Sequence, residues 1–468
     1  MDKNVLGFLR RVHFVGIGGI GMSGIAEVLH DMGFIVSGSD LVANSNVERL
    51  RGMGITIHIG HKQENVANAE VAIYSSAVTP DNPELLYARD NYIPVISRGE
   101  MLAELMRMYF AVAVAGSHGK TTTTSMISEI VIADGQYDPT TIIGGRLNRT
   151  GSNARLGKHS IMIAESDESD RSFLMLQPSI AVVTNIDREH MESYRDFGDV
   201  KRSFAEFANK VPFYGVAVLC IDDPNVVDVV PMLGKRFITY GVKAKADVRG
   251  LNIKKEGFSV SFDVEQRGKP LGRVCINQPG DHIVLDGLAA IAVALEMRIE
   301  FQHIADALEK FEGVQRRLSV RYKSDDLIVL DDYGHHPTEI RATLKAVRDA
   351  TPNSRICAIF QPHRYTRTEN LMLEFAKSFF DADCLLVSDI YAASEQPIEG
   401  IDSLALISEI KKRGFKDVQH LSALDDAFGI LKKHGLDNLV IITLGAGNIT
   451  NFSHKIADFC KAEREGGR

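Results

Sequence analysis

Cysteine is scarce in this 468-residue chain, with five in all. Cys220, Cys275, Cys357, Cys384 and Cys460 are scattered, odd in number and contain no CxxC pair. That spelling argues against a disulfide framework or a thiolate zinc site and fits a reducing compartment. Long apolar runs are also missing. The most apolar helical stretch, Leu288 to Leu295, is far shorter than a bilayer crossing and follows Asp286. No membrane insertion is expected. The opening residues MDKNVLGFLRRVHF carry basic side chains but no apolar h-region before a small-residue cleavage site. A cytoplasmic location follows from these absences. There is no internal repeat and no low-complexity tract. The net charge of −8 gives no general pull toward nucleic acid or an anionic membrane, so any anion site must be built locally.

What the chain does have is a pattern used three times: a short apolar strand, a glycine-rich or polar loop, then a helical stretch. At this length several domains are expected, and 45% hydrophobic with 24% charged residues is ordinary for a globular protein. In parallel α/β sheets such loops lie at the carboxyl ends of strands, where ligands bind. The first segment opens with the strand Arg11 to Val15 and the loop GIGGIG. The second opens with Ala111 to Val114 and GSHGKTTTT, with later strands at Ile161 to Ala164 and Ala181 to Val183 entering ESDESD and TNIDREHM. The third follows FEGVQRRLSVR; its strand Leu327 to Leu330 enters DDYGHHPTEI, and further strands enter QPHRYTRTEN, SDIYAASE and LGAGNITN. The restarts predict an α/β protein of three domains. These are an N-terminal Rossmann-like domain over 1–107, a central P-loop domain over 108–314 and a C-terminal Rossmann-like domain over 315–468. Alternating runs between 215 and 275, such as Phe258 to Val264, predict antiparallel strands and hence a mixed central sheet.

Each loop has its own chemistry. Gly16-Ile17-Gly18-Gly19-Ile20-Gly21 fits G-x-G-x-x-G between a strand and a helix, with Asp40 closing the next strand where a ribose-binding acid belongs. The motif leaves NAD and other diphosphate nucleotides equally open. Gly116-Ser117-His118-Gly119-Lys120-Thr121 is shorter than the usual P-loop, because position 114 is Val, but its working end is intact. Backbone N–H groups at a helix start hold phosphate, Lys120 reaches the outer phosphates, and the Thr121 hydroxyl ligates Mg²⁺. Glu165 ends a strand at the head of ESDESD and has the oxygen chemistry that Mg²⁺ prefers, while an imidazole such as His190 is an uncommon Mg²⁺ ligand. In the third segment, His336 stands where it would cap the helix starting at Pro337. Arg364 and Arg367 lie three apart on one loop, a pairing suited to a carboxylate or phosphate.

Taken together, GIGGIGMSGIA, GSHGKTTTTSM, ESDESD, TNIDREHMESY, DDYGHHPTEI, QPHRYTRT and LGAGNI resemble the Mur ligases of peptidoglycan synthesis over nearly the whole chain. The resemblance implies a UDP-sugar domain, a central ATPase and a C-terminal domain presenting an amino acid. The implied reaction activates the lactyl carboxylate of UDP-N-acetylmuramate as an acyl phosphate at the expense of ATP, and the amine of L-alanine then displaces phosphate. By the same resemblance Gly18, Gly21, Asp40, His61 and Ser75 serve the UDP-sugar. Gly116, Ser117, His118, Gly119, Lys120, Thr121, Thr122, Asn185, Arg317 and Asp332 serve ATP. Thr121 holds one Mg²⁺, and Glu165 with His190 a second. Tyr333, His335, Arg364 and Arg367 receive alanine, with His335 helping its amine lose a proton. Two spellings depart from the family pattern. His282-Ile283-Val284-Leu285-Asp286 lacks both amides expected near the adenine base, and Glu189 replaces an aspartate beside His190.

Overall fold

The computed structural model describes residue 7, residues 9–146 and residues 152–466; residues 1–6 and 8 of the opening stretch searched for an h-region lie outside them. The first sheet has five parallel strands in the order Thr56–Ile59, Ile35–Asp40, Arg11–Val15, Val71–Tyr74 and Val95–Ser97. Chain order reverses beside Arg11–Val15, and the crevice outside such a reversal is where α/β sheets hold ligands. Val12, Phe14 and Val15 are fully buried. A strand covered on both faces has no need of polar alternation.

The second sheet has ten strands in the order Lys269–Ile276, Ser259–Gln266, Val248–Glu256, Phe237–Gly241, Val216–Cys220, Ile180–Val183, Phe110–Ala115, Ile161–Glu165, Thr140–Ile142 and Ala154–Arg155. It is mixed, but the antiparallel part is smaller than 215–275 suggests. Val216–Cys220 and Phe237–Gly241 continue the parallel ladder. Helix Pro224–Val229 lies between them and provides the crossover that parallel neighbours require. Only the last three strands are joined by two-residue links, which force an antiparallel return. In the second link both Arg267 (φ +50) and Gly268 (φ +82) are left-handed, the geometry of a primed hairpin turn.

Apart from strand residues within 253–261 and Ile276, these two sheets belong to one compact unit, formed by 1–252, 262–275 and 285–312. A single apolar cluster runs from Val12 and Phe14 through Ala111 and Ala113 to Phe204 and Phe207. Helix Ile20–Asp31 packs so closely on strand Ala154–Arg155 that a Cβ at Gly24 would lie 3.2 Å from that of Ala154.

The other unit comprises 253–261, 276–284 and 313–468. Its sheet runs Ser319–Lys323, Leu327–Asp332, Leu439–Leu444, Arg355–Phe360, Cys384–Ser388 and Val418–Leu421. The first strand is antiparallel to its neighbour and the rest are parallel. The last strand in sequence is inserted between Leu327–Asp332 and Arg355–Phe360. That insertion sets the loops DDYGHHP, LGAGN and QPHRY side by side. Among the described residues, no helix is long and apolar enough to cross a membrane.

Candidate active site

Strand Phe110–Ala115 lies between Ile180–Val183 and Ile161–Glu165, so the loop after it sits between TNIDREH and ESDESD. Gly116 (φ +139) turns the chain so tightly that a Cβ there would lie 2.0 Å from the Thr184 hydroxyl oxygen. Gly119 (φ +78) precedes helix Lys120–Asp134 in the left-handed region, and a Cβ there would meet Asp286 Oδ1 at 2.4 Å. Side chains of the neighbouring loop hold this path. His118 N–H donates to Asn185 Oδ1 (2.8 Å), Asn185 Nδ2 and the Thr184 hydroxyl donate to the His118 carbonyl (2.9 and 2.6 Å), and Asp187 N–H donates to Ser117 Oγ (2.8 Å). His118 Nε2 also faces Asp187 Oδ2 at 3.0 Å. Asn185 therefore acts by fixing the loop. Thr122, one residue into the helix, is buried.

Lys120 Nζ donates to the Gly116 and Ser117 carbonyls (2.5 and 3.2 Å) and to Glu168 Oε1 (2.7 Å). Burial alone would lower its pKa, but the charges of Glu168 and Glu165 outweigh that and hold the ammonium protonated. Glu168 is pushed up to about 7, first by burial and then by Asp167, against the pull of Lys120.

The acidic cluster divides its work. Glu165 Oε1 accepts from the Thr121 hydroxyl (3.1 Å) and Oε2 from Gly144 N–H (2.8 Å). Ser166 ties back to the Val114 carbonyl (2.8 Å from its hydroxyl). Asp167 pairs with Arg98 (2.7 Å), whose guanidinium also lies 3.0 Å from where a Cβ on Gly21 would stand. Glu168 takes Lys120.

The metal-ligating residues expected from the sequence fall into two places. Thr121 and Glu165 meet directly. His190 lies instead with Glu168 and Glu189, one ligand atom of each within 4.8 Å of the others. Sequence reading did not single out Glu168 and Glu189 as candidates for a cation site; the signals were the E-x-x-E spacing at 165–168 and the E-H doublet at 189–190. Glu168 Oε2 is buried with no hydrogen-bond partner, and two carboxylates with one imidazole suit Mg²⁺ or Mn²⁺. The residues fit a divalent cation.

In the first sheet, Asp40 Oδ2 accepts from Gly18 N–H at 2.8 Å, and Asn46 Nδ2 donates to the Gly18 carbonyl at 2.9 Å. A Cβ on Gly18 would lie 2.7 Å from Asn44 Nδ2, so any side chain there must push Asn44 and Asp40 aside. Ser75 stands across the crevice: its Cβ would be 3.2 Å from one on Gly16. His61 follows Gly60, whose N–H donates to the Asp40 carbonyl at 2.8 Å. All five residues read for the sugar nucleotide thus border the carboxyl ends of these strands. Asp286 accepts from the Thr123 hydroxyl at 3.2 Å and backs onto Gly119, behind the phosphate loop. Ile283 is buried. In the other unit His282, drawn down to about 4 by burial, is neutral near pH 7.

That unit brings together the residues read for alanine. Tyr333 and His335 meet edge to face (centroids 5.1 Å), and His335 lies 6.1 Å from His363, which stacks on Tyr391 (5.5 Å, 14°). His363 is pushed down to about 3, first by burial and then by Arg367 and His335. Arg367 Nη1 lies 3.2 Å from His363 Nδ1. Arg364 (φ +70) is exposed, and among the described residues neither arginine has a carboxylate partner. Arg317 lies over the Tyr333 ring (5.2 Å), as does Arg316 (4.7 Å), which also donates to the Gly445 carbonyl (2.6 Å). His336 caps its helix in a capping box, as its position before Pro337 suggests. Asp332 is a different case. Its carboxylate accepts from Leu318 N–H, Gly334 N–H (both 2.8 Å) and the Thr343 hydroxyl (3.3 Å), and burial raises its pKa. It holds the turn carrying Tyr333 and has few lone pairs left for a ligand.

Three family models match the chain in succession: the Mur ligase family catalytic domain over residues 11–110, the Mur ligase middle domain over 114–294 and the Mur ligase glutamate ligase domain over 316–447. A UDP-N-acetylmuramate--L-alanine ligase of Geotalea uraniireducens (strain Rf4) is 51% identical over 461 residues, covering 98% of this chain and 99% of the relative. The enzyme of the same name from Desulfatibacillum aliphaticivorans is 51% identical over 438 residues, 94% of this chain and 96% of its own. Among solved structures, the UDP-N-acetylmuramate-alanine ligase of Thermotoga maritima superposes with a TM-score of 0.82 at 28% identity, covering 97% of this chain and 99% of that one.

Proposed function

Because this chain belongs to the Mur ligase family, we infer that it joins L-alanine to the lactyl carboxylate of UDP-N-acetylmuramate in peptidoglycan precursor synthesis, consuming ATP. Residues 1–107 would take the UDP-sugar, 108–314 ATP and 315–468 alanine. The observation that carries this reading is Lys120: a buried ammonium in a strand-to-helix loop, ringed by Glu165, Glu168 and Glu189.

The chemistry follows from these groups. A lactyl carboxylate oxygen attacks the γ-phosphorus, the bond to the β-phosphate oxygen breaks, and ADP leaves. Lys120 would stabilise the charge shifting onto ADP. Mg²⁺, held by Thr121 with Glu165 and by Glu168, Glu189 and His190, would neutralise phosphate and carboxylate oxygens. The alanine amine then attacks the acyl carbon and phosphate departs. His335 Nδ1 lies 3.1 Å from the Tyr333 carbonyl, which can only accept, so Nδ1 carries the hydrogen and Nε2 is the ring nitrogen that would take the amine's proton. Arg364 and Arg367 would bind alanine's carboxylate. No side chain need become covalently attached; the work is positioning and electrostatics. A cytoplasmic setting accords with five cysteines of which none is in a disulfide.

Purified protein incubated with ATP, MgCl₂ and UDP-N-acetylmuramate should form ADP with L-alanine and far less with other amino acids or with a peptide. ADP formation that ignores the UDP-sugar would overturn the reading.

A further inference from the structure

The first sheet encloses a polar network that the reaction does not explain. Glu84, fully buried on helix Pro83–Asp90, is surrounded by donors. Its Oε2 takes the Ser39 hydroxyl at 2.6 Å and His13 Nε2 at 3.1 Å; its Oε1 takes Asn65 Nδ2 at 2.6 Å and Lys62 N–H at 3.2 Å. His61 Nδ1 lies 3.5 Å from Oε1 and 3.0 Å from Ser39 Oγ. Burial would raise this carboxyl, but the bonds from His13, Ser39 and Asn65 hold it down to about 2, so it is ionised and only accepts.

The protons can be counted. Ser39 has one hydroxyl hydrogen, and the 2.6 Å contact directs it to Glu84. Towards His61, Ser39 Oγ is then an acceptor, and Glu84 Oε1 is another. Nδ1 of His61 must therefore carry the hydrogen, and in the neutral imidazole Nε2 then holds the lone pair.

We infer that Glu84 is a positioning residue of the sugar-nucleotide site: through Ser39 it holds His61 as the Nδ1–H tautomer and presents Nε2 as an acceptor to a donor group of the uridine, its imide N–H or a ribose hydroxyl. The proposal rests on the assignment of the UDP-sugar to this sheet. His61 stands beside Asp40 at the strand ends, and its imidazole is 13% exposed, so the ring is not wholly sealed while its Nδ1 is held. A neutral histidine free to exchange tautomers would spend part of its time with Nε2–H, a donor that repels the same group. A buried carboxylate five contacts deep is a means of removing that choice.

The test uses the full chain. Nitrogen-15 NMR of the imidazoles, with His61 assigned by His61→Gln, should show a protonated Nδ1 and an unprotonated Nε2 in the wild type. Glu84→Gln and Ser39→Ala should each populate both tautomers. UDP affinity should fall about tenfold in both variants while ATP affinity stays within twofold. 3-Methyl-UDP and 2′,3′-dideoxy-UDP separate the sources: the analogue missing the true donor binds wild type weakly and is indifferent to Glu84→Gln. A wild-type His61 protonated at Nε2 overturns the proposal. So do variants that lose thermal stability alone, or lose UDP and ATP affinity equally. A wild type that does not bind UDP removes the functional reading itself, which is a different failure from normal UDP binding untouched by Glu84→Gln.

Discussion

Lys120 Nζ donates to Glu168 Oε1 at 2.7 Å; the carboxylate is almost completely enclosed and the lysine side chain is partly buried. A phosphate-binding lysine is thus held by a carboxylate on the next strand's loop. The same carboxylate is one of two gathered around His190. Phosphate oxygens arriving at Lys120 would displace Glu168, and the released carboxylate has cation-binding neighbours at hand.

Lys120→Ala should remove nearly all ligation. A preorganised charge in phosphoryl transfer contributes about 3–4 kcal/mol, several hundredfold or more in rate. The loop lysine is buried and paired, so thermal stability should fall too. Steady-state ADP formation and a melting curve on the same preparation check both.

Glu168 gives this variant a pH signature. Its folded pKa, about 7, lies above the ordinary 4.5, so the native state prefers the protonated form. The stability contributed by that preference is full below pH 4.5 and lost as pH rises through 7. Without Lys120 the carboxyl should rise further. In magnesium-free buffer, the Tm difference between wild type and Lys120→Ala should therefore widen from pH 6 to pH 8.

Gly18→Ala places a Cβ 2.8 Å from Asp40 Oδ2 and 2.7 Å from Asn44 Nδ2. The Asp40 contact to the loop must open, so UDP affinity should drop by about tenfold or more while ATP affinity holds. Calorimetry with each nucleotide separately measures this.

Arg364→Lys and Arg367→Lys conserve charge but lose the planar fork. Each should raise the KM for L-alanine roughly 10- to 150-fold, the equivalent of about 1.5–3 kcal/mol for a charge-assisted contact. The KM for ATP should move little. Normal alanine binding with failed ATP use would make these arginines phosphate clamps.

His190→Ala should raise the magnesium concentration needed for half-maximal ligation by about tenfold, since one of three donors is lost. Titration of MgCl₂ at saturating ATP checks it, and Glu189→Gln should behave alike.

Strand-loop-helix order was legible in the sequence because it is written locally. Apolar runs at Arg11, Ala111 and Leu327 end where glycine or acidic residues begin, and the structure ends its strands at Val15, Ala115 and Asp332. The glycine positions were equally readable, since a left-handed turn at Gly116 or Gly119 depends on that residue's own backbone. His336 as a helix cap needed only the proline that follows it. The antiparallel reading of 215–275 failed at Val216–Cys220 and Phe237–Gly241, because alternation does not reveal which neighbour a strand will find.

What the chain determined by itself was which loops carry chemistry and which residue types they offer. Which of those side chains meet was decided only by tertiary structure. Glu165 and Glu168 are three residues apart, yet one faces Thr121 and the other Lys120, because the strand ends between them and the backbone turns. Asp332, read for ATP, has its oxygens on Leu318 and Gly334, contacts set by sheet packing and not by any local spelling. Glu84 had no signal at all. Its partners come from three separate stretches, 13, 39 and 61–65, and a buried carboxylate is tolerated only when all of them converge, a condition set by strand order rather than by any local spelling.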